Sequence, residues 1–177
     1  SFVDKSGRYL MLGGQENLQI DVVNIDEVQV EVEKIFANNI THFLRQNSYS
    51  YYDDSYYYEP YYDTYGLGKT IYNKEIKLDN KSNWLNQIDI NVNEALGGRY
   101  NGIYLITVRS NRDRWRRTSK ILAISDLGII AKRSSNNYYV FLNSISKAEK
   151  ISGVKVDVIS NNNQTLLSGV TDNNGVV

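Results

Sequence analysis

The chain has 177 residues, and its 20 Lys plus Arg are matched by 20 Asp plus Glu. Zero formal charge offers no general attraction to nucleic acid or to an anionic membrane. The absence of cysteine excludes a disulfide framework, a thiolate metal site, a cysteine nucleophile and an internal thioester within these residues. No stretch approaches the roughly 20 apolar residues that span a bilayer, and Ser1-Phe2-Val3-Asp4-Lys5 lacks the apolar run of a signal peptide.

Taken in chain order, residues 18–23 form the first short run rich in branched apolar residues, the composition of a strand. Residues 27–36 alternate cleanly, with Val28, Val30 and Val32 on one face and Gln29, Glu31 and Glu33 on the other. That period of two belongs to a strand with one wet side. The one stretch that reads as helical is 38–46, where Asn39 is placed to cap a turn carrying Ile40, Phe43 and Leu44. Composition then changes sharply: residues 48–65 are crowded with tyrosine among Asp, Ser, Glu59 and the single proline, Pro60. Strand-like sequence returns over 66–79 through Lys69, Ile71 and Ile76, which predicts a long hairpin arm with the tyrosines at its tip.

Ile88, Ile90 and Val92 alternate with Asp89, Asn91 and Asn93, and Val154, Val156 and Val158 with Lys155 and Asp157. Residues 103–108, 128–132, 138–142 and 165–169 are further short apolar or aromatic runs bounded by Gly, Asn, Asp or Ser. Many short strands with frequent turn signals predict an all-β sandwich or barrel. At the far end, Thr171-Asp172-Asn173-Asn174-Gly175-Val176-Val177 reads as a turn and the first residues of another strand. Both ends are therefore expected to be cuts within a longer protein.

Catalytic chemistry finds little support. His42 is the one histidine, it lies beside Phe43 and Leu44, and no nucleophile-elbow motif accompanies it, so it reads as structural. Asp53, Asp54, Glu59 and Asp63 lack the spacing of a calcium loop, and a tyrosine-filled loop is a poor scaffold for a glycosidase carboxylate pair. No catalytic, metal or cofactor-binding residue is assigned. Tyr51, Tyr52, Tyr56, Tyr57, Tyr58, Tyr61 and Tyr62 are candidate partner-binding residues, because phenol rings join a large apolar face to a polar tip. The rival reading is a loop that folds on its own domain or stays disordered. Arg109, Arg112, Arg114, Arg116 and Arg117 surround Trp115 in a mixture that superficially suits single-stranded nucleic acid. In a chain of zero net charge it reads instead as a solvated turn or domain junction, with Trp115 packed across the boundary and the arginines facing acids of the neighbouring domain.

Several segments, in order, resemble one family. The run Ile124-Ser125-Asp126-Leu127-Gly128-Ile129-Ile130-Ala131-Lys132-Arg133 resembles the opening strand of the alpha-2-macroglobulin N-terminal domain, a macroglobulin-like β-sandwich. Val140-Phe141-Leu142-Asn143-Ser144, Ile151-Ser152-Gly153-Val154-Lys155-Val156 and Thr171-Asp172-Asn173-Asn174-Gly175 resemble its later strands and closing turn. Arg8-Tyr9-Leu10, Leu18-Gln19-Ile20, Val23-Asn24-Ile25-Asp26-Glu27-Val28 and Gly102-Ile103-Tyr104-Leu105-Ile106 with Trp115 are similar to the preceding domain of bacterial macroglobulins. The resemblance implies an all-β, Ig- or fibronectin-type antiparallel sandwich over 1–120, carrying the insertion at 48–65. A partial, truncated second sandwich follows over 121–177.

The resemblance further implies a non-enzymatic structural segment of a broad-spectrum endopeptidase inhibitor, a protease trap of the bacterial cell envelope, periplasmic or lipid-anchored. Its expected partners are neighbouring domains of the parent chain and, through the full-length parent, target proteases. Nucleic acid, cofactors and direct membrane contact by this segment are not expected. An Ig-like surface adhesion or glycan-binding module that uses the tyrosine loop is the alternative.

Overall fold

Alternating apolar residues place strands throughout the computed structural model, which describes residues 1, 3, 8–11, 17–46, 62, 64–79, 83–98, 101–113 and 115–177. The chain divides into two units, Ser1–Ile124 and Ser125–Val177. The first contains β1 (Arg8–Met11), β2 (Asn17–Val23), β3 (Glu27–Ile35), a 3-10 turn (Ala37–Asn39) leading into α1 (Ile40–Gln46), β4 (Gly68–Lys77), β5 (Leu85–Asn91), α2 (Val92–Leu96), β6 (Gly102–Ser110) and β7 (Arg117–Ile124).

These strands form two layers. One is a five-stranded sheet in the order β1-β7-β6-β3-β4, the other the antiparallel pair β2-β5. All pairings are antiparallel except β1 with β7, which run parallel. The second layer is widened at its β2 edge, where the Val3 N–H donates to Gln19 C=O (3.0 Å) and the Asp21 N–H to Ser1 C=O (2.8 Å).

The period-two pattern explains the core between the layers. Val28, Val30 and Val32 of β3 meet Leu18, Ile20 and Val22 of β2, Ile88 and Ile90 of β5, Tyr104, Ile106 and Val108 of β6, and Leu122 and Ile124 of β7. Each such side chain, fully buried, contributes about 1.5–3 kcal/mol of transfer free energy before chain entropy is charged against it. The all-β sandwich expected from the sequence is the fold observed in the first unit.

Three local readings change. Val92 does not continue β5: the Asn91 side chain accepts from the Glu94 N–H (2.9 Å) and Gly97 takes φ 57°, so α2 forms between an Asn N-cap and a left-handed C-terminal glycine. Val92 is still buried in the same core. Strand β7 escapes the pattern because an inward position is filled by Lys120, 1% exposed, where periodicity asks for an apolar residue. The stretch 124–133 is not one strand: Ile124 ends β7 inside the first core, and Leu127 opens the next strand.

The second unit consists of two antiparallel hairpins, β8 (Leu127–Arg133) with β9 (Tyr138–Ser144) and β10 (Lys155–Ile159) with β11 (Thr165–Val170). Thr171, 4% exposed, ties its loops together: its hydroxyl donates to Ile151 C=O (2.9 Å) and accepts from the Val154 N–H (3.0 Å). The Asp172–Gly175 turn then lays Val176 and Val177 along β9, with Val140 and Val177 exchanging backbone hydrogen bonds of 2.8 and 3.0 Å. Gly175 is required there, since φ is 71° and a Cβ would lie 2.5 Å from Leu142 O.

Candidate interaction surfaces

The tyrosine-rich segment joins two paired strands, because β3 and β4 are antiparallel neighbours and everything from Phe36 to Leu67 connects them. The roots of this connection are built into the outer face of the five-stranded sheet. There Ile35, Leu105 and Ile121, each on the opposite side of its strand from the main core, surround Phe43 of α1, which is fully buried. Ile40, Tyr62, Leu67 and Ile103 pack around this cluster. The Phe36 N–H and the Asn39 side-chain amide both donate to Leu67 C=O at 3.1 Å, and the Thr64 hydroxyl donates to the Glu33 carboxylate at 2.5 Å. Asn39 thus uses its amide to hold the returning chain, a role that reading it as a helix cap did not foresee. Gly68 allows the return, since a Cβ there would stand 2.6 Å from Lys34 O.

Among the candidate tyrosines, Tyr62 is half-buried, its ring 6.4 Å from that of Phe43 and tilted by 35°. Tyr51, Tyr52, Tyr56, Tyr57, Tyr58 and Tyr61 lie outside the described residues, as do Asp53, Asp54, Glu59 and Asp63. Tyr65 is 94% exposed. His42 sits half-buried in α1.

The arginine cluster lies at the β6–β7 hairpin. The strands end on a hydrogen bond from the Ser110 N–H to Arg116 C=O (3.0 Å), and inside the turn the Trp115 N–H donates to the Asp113 carboxylate (3.2 Å). Asn111 fastens the tip to the start of β3, donating from its side chain to the Glu27 carboxylate (2.8 Å). Arg112 is ion-paired with Asp26, Arg109 with Glu31 and Arg116 with Asp113. These three arginines therefore find acids within their own unit, Arg109 because β3 lies beside β6 in register and presents Glu31 on the same outer face. Trp115 is 90% exposed. Arg114 lies outside the described residues.

The remaining polar groups read as structural. Burial first, then the nearby Glu94 carboxylate, raises the Tyr72 phenol, while Lys74 and Glu94 pair at 2.9 Å and link β4 to α2. The Ser144 hydroxyl and the Ser146 N–H hold Asp126 below the usual aspartate range, and the backbone N–H groups of Val176 and Asn174 do the same for Asp172. An open cleft of about 500 Å³ at one end of the first sandwich has Ile20, Val22, Val28 and Val108 among its walls. Among the described residues no three His, Cys, Asp or Glu side chains are grouped to hold a metal ion.

Alternating strands, hydrophobic packing in the first unit and braced turns define the class: an all-β chain of two compact units. The sequence pattern of the bacterial alpha-2-macroglobulin MG2 domain matches residues 1–120, and that of the MG3 domain matches residues 124–177. The chain belongs to the bacterial alpha-2-macroglobulin family. An alpha-2-macroglobulin of Rickettsia conorii is 24% identical over 96% of this chain and 10% of its own length. The crystal structure of trypsin-activated alpha-2-macroglobulin from Escherichia coli has a similar fold, with a TM-score of 0.71 at 18% identity over 99% of this chain and 12% of that one. A native Escherichia coli fragment spanning domains MG0-NIE-MG1 scores 0.67 at 20% identity, over 97% of this chain and 54% of that one. The chain thus spans about a tenth of the length of the full-length relatives it matches. Among the described residues no helix is long and apolar enough to cross a membrane.

Proposed function

We propose that this chain is a non-catalytic structural segment of a broad-spectrum endopeptidase inhibitor, a protease trap of the bacterial cell envelope. What supports the reading is the succession of MG2 and MG3 patterns over residues 1–120 and 124–177, joined to a sheet packed on both faces. A five-stranded sheet with a main core on one side and the Phe43 cluster on the other resists bending. Such stiffness suits a module that holds other parts of a large protein at fixed positions. Its partners are the adjoining domains of the parent polypeptide and, through that parent, the trapped proteases.

The test uses the full-length parent, incubated with several proteases of broad specificity. Residual activity is followed on a large protein substrate and on a small peptide. Loss of the first with retention of the second is the expected result, since a caged protease still admits peptides. Degradation of the parent with both activities intact would overturn the reading.

A further inference from the structure

The β6–β7 tip combines three properties. It exposes 90% of Trp115, the greatest exposure of any described large apolar residue outside the tyrosine-rich segment. It is cross-braced: Asn111 and Arg112 bind Glu27 and Asp26 on the neighbouring β2–β3 turn, and Asp113 holds the backbone N–H of Trp115. And three of its arginines are already answered locally, Arg109 by Glu31, Arg112 by Asp26 and Arg116 by Asp113.

Those properties select among partners. Anionic lipid and nucleic acid are drawn by unneutralised cations, and here Arg109, Arg112 and Arg116 each have a carboxylate. What the tip offers is a large indole face with one N–H donor on a backbone that loses little freedom when docked. Tryptophan on a preorganised element is the usual centre of a protein–protein contact, where its burial in a fitted pocket carries much of the binding energy.

We propose that Trp115 anchors the β6–β7 tip to another domain of the same polypeptide, in an apolar slot containing a carbonyl or carboxylate that accepts the indole N–H. This rests on the reading of the chain as one segment of a longer multidomain protein, and the relatives, about ten times its length, supply ample surface for such a slot.

The experiment is hydroxyl-radical footprinting with mass spectrometry, on this 177-residue chain and on the full-length parent. Trp84, 63% exposed, serves as the reference in the isolated chain. Oxidation of Trp115 severalfold slower in the full-length protein than in the isolated chain, with no vesicles present, is expected. Equal oxidation in both would overturn the proposal. So would protection that appears only on adding phosphatidylglycerol–phosphatidylethanolamine vesicles, which would assign the tip to a lipid surface, or protection of the isolated chain that grows with its own concentration, which would assign it to a second copy. Trapping is scored separately on the same full-length preparation, so that failure of the inhibitor reading and failure of this contact are told apart.

Discussion

Replacing Phe43 by Ala asks whether the outer cluster is part of the folded sheet or an ornament on it. The ring is completely buried and touches β3, β6 and β7 through Ile35, Leu105 and Ile121. Truncating a buried Phe to Ala costs about 3–5 kcal/mol. Because α1 has only seven residues and can settle partly into the hole, the lower end applies, about 3 kcal/mol. Converted to an opening equilibrium, that is roughly a 150-fold change. Native-state hydrogen exchange of the Leu105 and Ile106 amides, in the middle of the five-stranded sheet, reads it directly. Their exchange should accelerate by about that factor, comparable with Leu122→Ala in the main core, for which about 2–5 kcal/mol is expected. Unchanged β6 exchange in Phe43→Ala, with acceleration in Leu122→Ala, would refute the reasoning and make the outer cluster independent of the sandwich.

Gly175→Ala should detach Val176 and Val177 from β9, exposing the Val140 amide to exchange, because a positive φ costing about 1–2 kcal/mol is joined by a clash with Leu142 O. Gly153→Ala, with φ 73° but open space around the added carbon, should cost only about 1 kcal/mol by the same measurement. The closing turn should loosen in acid. Asp172 has a depressed folded pKa, so its contribution is complete above the ordinary value of 3.8 and is lost as pH falls through the lower folded value. An NMR titration of the Asn174 and Val176 amides should follow that loss, and Asp172→Asn should abolish it. Asn91→Ala removes the cap of α2 and should destabilise that end of the first unit by about 1 kcal/mol, measured by urea unfolding.

Much of the architecture is legible wherever one face of a strand is wet. Residues 27–33 and 155–158 alternate, and both lie within strands. Legibility fails where a residue serves a special purpose. Lys120 interrupts the apolar side of β7, and Asn91 diverts an apparently continuous strand into a helix, although Asn91, Glu94 and Gly97 together carry a start and stop signal that could have been read. Of the candidate surfaces, the arginine–tryptophan group is visible as composition. Its internal pairing is not, because Asp26 and Glu31 are distant in sequence and meet it only through the β3–β6 register. The outer cluster around Phe43 needs Ile35, Leu105 and Ile121 on the nominally wet side of their strands, which a rule assigning each strand one dry face overlooks.

The clamp at Leu67 bears on how this domain can vary between relatives. With Phe36 and Asn39 both bonded to Leu67, the two ends of the connection are closed by the fold itself, whatever lies between Gln46 and Tyr62. For a chain held at both ends, closure entropy grows with the logarithm of length, about 0.6 kcal/mol for each doubling. Lengthening or shortening that stretch therefore leaves the sandwich almost indifferent. The sheet is a mount on which this stretch can diverge in length and composition, and selection on it is free to follow contacts instead of stability.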